Sequence, residues 1–336
     1  MTLGRGETMK AIVNTGPGKL ELLDWPLPQP SAGQVRIRTG ACGVCATDLK
    51  MIAGWERTSF PAIPGHEWSG VVDAVGPGVD PALIGQRCVA ENVLADGGEV
   101  GFEHPGGYGE YFLTEASRLH LLPDGFPLAE AALIEPLAVA VRGVRRLRLE
   151  DRQRALIFGD GPIGLLLLML LKRAGVAEVV VVGGRPGRLR TALELGASRT
   201  LNYHDLSGDL ATAIAAAVGG DFASVVEASG SGAAMAASLD LAAQAGHILV
   251  LGDYDDARAS FLWNHLLHRE LEVIGSNASA GGWPEAVHLA VSGDLPLARL
   301  ITHRLPATRF AEGIAWTRDR RAVVIKVVLE WGRGDE

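Results

Sequence analysis

The amino-acid sequence predicts an α/β protein built from two parts, one β-rich and one a doubly wound parallel-sheet domain. Three observations carry this expectation. A chain of 336 residues is too long for one ordinary core and long enough for two. From Lys10 to about Glu135 the apolar runs are short, often alternating and punctuated by glycine and proline, as where Val35, Ile37 and Thr39 alternate with Arg36 and Arg38. After Arg154 the texture changes to continuous apolar strands separated by alanine- and leucine-rich helices, the mark of a parallel sheet covered on both faces.

Taken in order, that second region predicts strands at 155–158, 178–182, 224–227, 248–251 and 272–274, with helices at 162–174, 188–195, 210–218 and 233–243 between them. From about Gly281 the pattern loosens. A final strand at 323–329 must then pair elsewhere, plausibly back with the β-rich region. Residues before Met9 read as a loose extension.

Composition narrows the function classes. With 48% hydrophobic residues, 21% charged residues and 43 glycines, the chain describes a soluble globular protein with many tight turns. A formal net charge of −8, without basic residues clustered among aromatics, argues against nucleic acid as a partner. Three cysteines (Cys42, Cys45, Cys88) make no disulfide framework, so a reducing cytoplasm is expected. The opening MTLGRGETMK lacks the apolar run of a signal peptide, and the longest apolar stretch, 163–171, is too short to span a bilayer.

The first βα junction of the second region reads IFGDGPIGLL, placing Gly159, Gly161 and Gly164 in G-x-G-x-x-G between an apolar strand and a helix that Pro162 opens. Such glycines let the backbone turn tightly and approach a pyrophosphate, which then rests on the free N–H groups of the helix start, around Pro162 and Ile163. The next strand, VVVVGGRPGR, selects the cofactor. Gly183 stands where an NAD site would keep an acid for the ribose 2′-OH, and Arg185 can pair with a 2′-phosphate. Gly184 frees backbone N–H groups nearby, and the Tyr203 ring could flank the adenine ribose. NADP(H) is therefore the expected cofactor, with NAD(H) the alternative.

In the β-rich part, ACGVCATDLK sets Cys42 and Cys45 three apart, and PGHEWSG and ALIEPLAVAV follow with His66, Glu67 and Glu135. A thiolate, an imidazole and carboxylates suit a catalytic zinc, which takes three protein ligands and keeps one position open. The spacings are not those of a zinc finger. A redox dithiol would need a thioredoxin-like βαβ setting, whereas this pair follows an alternating strand; Cys42 and Cys88 read as small buried residues. His104, His120, His247, His265 and His303 read as structural.

The stretches GACGVCATDL, PAIPGHEWSGVVDAVGPGV, EPLAVAVRG, GDGPIG and GRLRTALELGA, in that order, resemble the zinc-dependent alcohol dehydrogenases of the medium-chain dehydrogenase/reductase superfamily, particularly its polyol branch, from Met9 to about Leu329. The resemblance implies a GroES-like β-rich catalytic domain formed by residues 1–137 and 281–336, a Rossmann domain at 138–280, and an active site in the cleft between them. It implies Cys45 and His66 as the first two zinc ligands and Glu135 at the third position. Glu67 resembles an acid beside the metal that coordinates it in some relatives. Asp48 resembles the partner of the histidine's other nitrogen, and Thr47 the hydroxyl that bonds the substrate oxygen. A homodimer or homotetramer is implied, with contact around Trp263 to Ile274.

Departures from the family pattern are informative. The segment ENVLADGGEVGFEHPGGYGEYF holds none of the four cysteines that carry a structural zinc in many relatives, so one zinc per chain is expected. Lys50 replaces the histidine that often ends the proton relay, which favours a solvent route for the proton. Trp55 falls in a segment that lines the substrate pocket in relatives, or else anchors its loop. Lys326 matches a basic position near the cofactor phosphates, yet reads more simply as a solvated strand residue. The expected reaction is hydride transfer between NADP(H) or NAD(H) and a secondary alcohol, polyol, sugar or cyclitol. The alternatives are a zinc-free quinone or enone reductase of the same superfamily, and a nucleotide-binding relative without turnover.

Overall fold

The computed structural model describes residues 7–149, 153–319 and 323–332. The chain divides into two compact units, Met1–Glu135 with Trp283–Glu336, and Pro136–Gly282. Of the extension expected before Met9, residues 1–6 lie outside the described residues. A strand already begins at Thr8, and Met9 is buried in the core, because the Thr8–Gly16 and Lys19–Pro26 strands pair as a hairpin.

Among the described residues, the first unit holds a seven-stranded sheet whose organising element is the Gln34–Val44 strand. Its early residues alternate between half-exposed and buried, as the Val35, Ile37 and Thr39 pattern anticipates, and Cys42 to Val44 are buried throughout. Glu67–Val75 pairs antiparallel along one side of it, and Lys326–Glu330 along the other. The closing strand therefore does return to this unit, where it also runs parallel to Ile301–Pro306. The two registers set Glu67 opposite Gly43 and Val327 opposite Val44. Lys326, Cys45 and Glu67 thus reach the same end of three adjacent strands. The core beneath includes Trp68 and Phe112, packed edge to face with centroids 4.7 Å apart.

In the second unit the described strands form a six-stranded parallel sheet. Its spatial order is Arg199–Asn202, Glu178–Gly183, Arg154–Phe158, Phe222–Glu227, Ala242–Val250 and Glu272–Gly275. The order reverses between Arg154–Phe158 and Phe222–Glu227, and in a doubly wound sheet that switch point is where a ligand binds at the carboxyl ends of the strands. Helices at Pro162–Arg173, Pro186–Glu194 and Leu210–Val218 fall where the alanine- and leucine-rich segments predict them. The helix expected at 233–243 occupies Gly232–Leu241 instead, and the next strand starts at Ala242. Ladder pairing of Ala242 with Phe222 overrides alanine's helical preference there.

One buried side chain ties the segment after the Arg87–Ala90 strand to the start of the Glu67–Val75 strand. Asn92 accepts a hydrogen bond from Trp68 Nε1 at 3.0 Å and donates through Nδ2 to the His66 carbonyl at 2.8 Å. Asn92→Leu orphans a buried donor and a buried acceptor, and we expect denaturant unfolding to show a loss of about 2 kcal/mol or more.

Candidate active site

Cys45 ends the Gln34–Val44 strand and caps the helix Ala46–Ala53, so its backbone is fixed from both sides. Three residues on, Asp48 reaches back and accepts the Cys45 N–H at 2.8 Å, as an acid in the first turn of a helix commonly does. The same buried carboxylate lies 3.3 Å from His66 Nδ1 and receives the Tyr108 hydroxyl at 3.4 Å. Burial alone would lower the His66 pKa; the Asp48 charge, with Cys45 adding to it, more than reverses this and holds it well above the usual histidine value.

His66 sits just before the Glu67–Val75 strand, on a turn that only glycine fits. Gly65 has φ 99°, and a Cβ there would lie 2.6 Å from the Tyr108 ring and 2.9 Å from Cys42 Sγ. The Phe102 ring packs on the imidazole at 4.8 Å, and the Arg57 guanidinium covers the outer side of Phe102 at 4.7 Å. Phe102 and Arg57 carry no signal in the sequence; only the folded lobe brings them to the histidine. Arg57 also bonds Glu99 and Glu103 at 2.9 to 3.0 Å, and His104 pairs with Asp96 at 2.9 Å, so charge pairs brace the cysteine-free lobe. Trp55 is half-buried, with the Arg57 guanidinium 5.5 Å from its ring.

One atom each of Cys45, His66 and Glu67 lies within 4.8 Å of the other two, and this is the one such set among the described residues. Glu135, expected beside them, does not join it. Its carboxyl is nevertheless close enough to feel the charges of His66 and Glu67, and burial pushes its pKa up to about 7. Thr47 Oγ1 stands 3.7 Å from Cys45 Sγ. Lys50 is half-buried in the last turn of the same helix. Cys42 and Cys88 are fully buried, and burial raises both thiols, Cys88 to about 12, so neither is a poised nucleophile.

Lys326 corrects the simple expectation. Far from being a solvated strand residue, it is buried and donates to both Glu67 oxygens, at 2.7 and 2.6 Å, and toward the Val44 carbonyl at 3.4 Å. Burial works against the ammonium, but Glu67 and Cys45 offset it and its pKa lies above the ordinary lysine value. Gly43 makes room for the pair, since a Cβ there would come within 2.2 Å of Glu67 Oε2.

In the second unit, the G-x-G-x-x-G loop lies where strand Arg154–Phe158 meets helix Pro162–Arg173. A Cβ on Gly164 would fall 2.0 Å from the Gly159 carbonyl, so glycine is what lets helix and strand meet so closely. Gly161 caps that helix without a side-chain hydrogen bond, and the space above it is open as far as Arg188 Nη1 at 3.8 Å. An uncapped helix start facing a guanidinium fits a pyrophosphate. Ile163 is half-buried in the first turn. Tyr203 is half-exposed, and its ring lies over Gly184, where a Cβ would be 2.5 Å away. Arg188 and Glu227 carry no motif signal in the sequence. Arg188 follows Arg185 by one helical turn, and burial with the Arg185 charge lowers its pKa to about 10. Glu227, fully buried, receives the Ser229 N–H at 2.9 Å and the Tyr254 hydroxyl at 2.5 Å, tying together loops at the carboxyl ends of two strands.

One unit carries a thiol–imidazole–carboxylate cluster on an antiparallel sheet and the other a glycine loop at the switch point of a doubly wound sheet, the two elements of a nucleotide-dependent oxidoreductase. Comparison with known proteins narrows the class. Residues 31–124 match the alcohol dehydrogenase GroES-like domain, and residues 162–292 the zinc-binding dehydrogenase domain. D-arabitol-phosphate dehydrogenase of Enterococcus avium is 30% identical over 96% of this chain and 98% of its own. An alcohol dehydrogenase of Escherichia coli CFT073 complexed with NADH superposes with a TM-score of 0.90 at 26% identity, over 97% of this chain and 100% of that one. A protein of Sinorhizobium meliloti 1021 bound to NADP does so equally, at 0.90 and 26%, over 96% and 99%. The chain belongs to the zinc-binding alcohol dehydrogenase family, as the resemblance in its sequence implies.

Burying two charges is tolerable only while each neutralises the other. Lys326→Met in chelator-treated protein should therefore cost about 3–5 kcal/mol in denaturant unfolding, and adding Glu67→Gln should recover a substantial part of that loss.

Proposed function

We propose that this protein is a zinc-dependent dehydrogenase of polyols or sugar alcohols, interconverting a secondary alcohol and its ketone with a nicotinamide dinucleotide. The convergence of Cys45, His66 and Glu67 within 4.8 Å carries the reading, and the polyol phosphate named for the Enterococcus relative supports the substrate class. A thiolate, an imidazole and a carboxylate are a donor set suited to zinc with one position left for substrate. Cys45, His66 and Glu67 would hold the ion, with Glu135 the remaining candidate, and the cysteine-free lobe supports a single zinc per chain. Bound zinc supplies a Lewis acid that lowers the pKa of a substrate hydroxyl. The nicotinamide supplies the hydride acceptor, or donor in the reductive direction.

The chain's own groups then have distinct tasks. Asp48 lies on the Nδ1 side of His66, so Nε2 would be the nitrogen offered to the ion, and the ring packs against Phe102. Thr47, whose hydroxyl lies 3.7 Å from the Cys45 sulfur, would accept a hydrogen bond from the substrate hydroxyl and, as it takes that proton, release its own to solvent. Lys326 holds the Glu67 carboxylate until a metal competes for it. Gly159, Gly161, Pro162, Ile163, Gly164 and Arg188 would cradle the pyrophosphate. Gly183, Gly184, Arg185 and Tyr203 would form the ribose end.

One observation favours the zinc-free quinone or enone reductase instead: the Lys326 ammonium already balances Glu67, so the cluster is charge-compensated without an ion. Metal analysis separates the two. We expect stoichiometric zinc in unchelated protein. Chelation or Cys45→Ser should suppress the appearance of reduced nicotinamide absorbance with polyol substrates by about a hundredfold or more, as loss of a group acting in the transition state does. Full activity in metal-free protein would refute the zinc reading.

A homo-oligomer is also proposed. Among the described residues Glu272–Gly275 is the end strand of the parallel sheet, and Leu262, Trp263 and Leu267, close to it in the chain, are each about two-thirds exposed or more, a patch suited to a second copy. Trp263→Glu with Leu267→Glu should shift sedimentation velocity toward a monomer.

A further inference from the structure

An acid is missing from the end of the second strand of the parallel sheet, and a different acid fills its place. Asp160 is the residue between the first two glycines of the phosphate loop, and its side chain is buried. It extends across to the end of the Glu178–Gly183 strand. A Cβ built on Gly183 would lie 2.5 Å from both Asp160 Cβ and Oδ2, so the space a residue 183 side chain would take is already filled by the Asp160 carboxylate. The two positions exclude one another: an aspartate fits at 160 or at 183, not at both.

Asp160 Oδ2 accepts the Gly184 N–H at 3.0 Å and the Arg185 N–H at 2.8 Å. These are the backbone donors that the glycine-rich turn would otherwise offer to a 2′-phosphate. Oδ1 lies 3.8 Å from Arg188 Nη1, longer than a hydrogen bond, and faces the guanidinium side of the cradle. We propose that Asp160 supplies from the phosphate loop the ribose-binding acid that Gly183 lacks, and that the site thereby takes NAD(H) over NADP(H). The inference rests on the reading of this loop as a dinucleotide site.

The physical reason is charge and donor occupancy together. A ribose 2′-OH is a neutral donor, and a buried carboxylate is the acceptor it needs. A 2′-phosphate brings close to two negative charges beside that carboxylate and finds two of its natural donors engaged. Arg185 and Arg188 attract it, but the Asp160 carboxylate, reaching from the phosphate loop to the turn, offsets part of their charge. The fold does not decide the matter, because the two structural relatives with TM-scores of 0.90 bind one NADH and the other NADP. The turn has the glycines and arginine of an NADP site, and one acid from another loop reverses its preference.

Isothermal titration of the purified protein with NAD+ and NADP+ tests this without any turnover. Wild type should bind NAD+ at least about tenfold more tightly, and Asp160→Asn, which keeps the volume and one acceptor but removes the charge, should move the affinity ratio toward NADP+ by about tenfold or more. Moving the acid back, as Asp160→Gly with Gly183→Asp, should restore the NAD+ preference, with thermal unfolding confirming that each variant is folded. Tighter or equal binding of NADP+ by wild type would overturn the inference, as would an Asp160→Asn variant that weakens both dinucleotides in proportion. Failure of wild type to bind either would instead refute the dinucleotide reading beneath it.

Discussion

At the centre of the antiparallel sheet, the ammonium of Lys326 meets the carboxylate of Glu67, both buried and bonded through two short contacts. Neither charge would survive burial alone, and their partnership constrains everything around it. The pair forms only if Gln34–Val44 has Glu67–Val75 on one side and Lys326–Glu330 on the other, each in the observed register. A slip of one residue in either ladder would turn one partner to the opposite face. Gly43, between them, must lack a side chain. Once the three strands are locked in this way, Cys45 at the end of the middle strand and His66 before the next are delivered to the same place. The convergence of Cys45, His66 and Glu67 is thus a by-product of sheet register more than of any local motif.

A second tier of contacts sets orientation. Asp48 reaches the Cys45 N–H, His66 and Tyr108 from one buried carboxylate, so a single helical turn fixes both the thiol's backbone and the imidazole's direction. Asn92 holds the His66 carbonyl while Trp68 holds Asn92. Phe102 closes the other face of the ring under Arg57. The lobe that carries Phe102 has no cysteines to bind a structural ion, and ion pairs of Arg57 with Glu99 and Glu103 occupy the corresponding segment. The pairs are partly exposed and individually weak. Convergence of two carboxylates on one guanidinium that also covers an aromatic ring gives them a shared geometry.

The nucleotide unit uses the same logic of charge supplied from a distance. Its glycines are the local part: they let a strand and a helix meet and leave a helix start bare. The charges beside the turn at Gly183 and Gly184 come from Asp160, between the loop's first two glycines, and from Arg188, one helix turn beyond Arg185. The phosphate loop and the turn at 184–188 thus converge beside Gly183.

The sequence by itself determined what depends on short range. Alternation around Val35 to Thr39 and the apolar runs after Arg154 predicted the strand classes, because side-chain period follows backbone geometry directly. G-x-G-x-x-G predicted its turn, because glycine alone permits such close approach. The family resemblance named Cys45, His66, Glu67 and Asp48 through motif order, and the structure brings all four together. Only the tertiary structure decided that Glu135 stays outside the mutual 4.8 Å set and that Lys326 is a buried counter-ion and not a solvated residue. It alone revealed that Phe102 packs on the histidine and that Asp160 fills the place above Gly183. Each of these depends on which distant strands and loops become neighbours, and charges or rings brought together across tens or hundreds of residues leave no periodic trace in the chain.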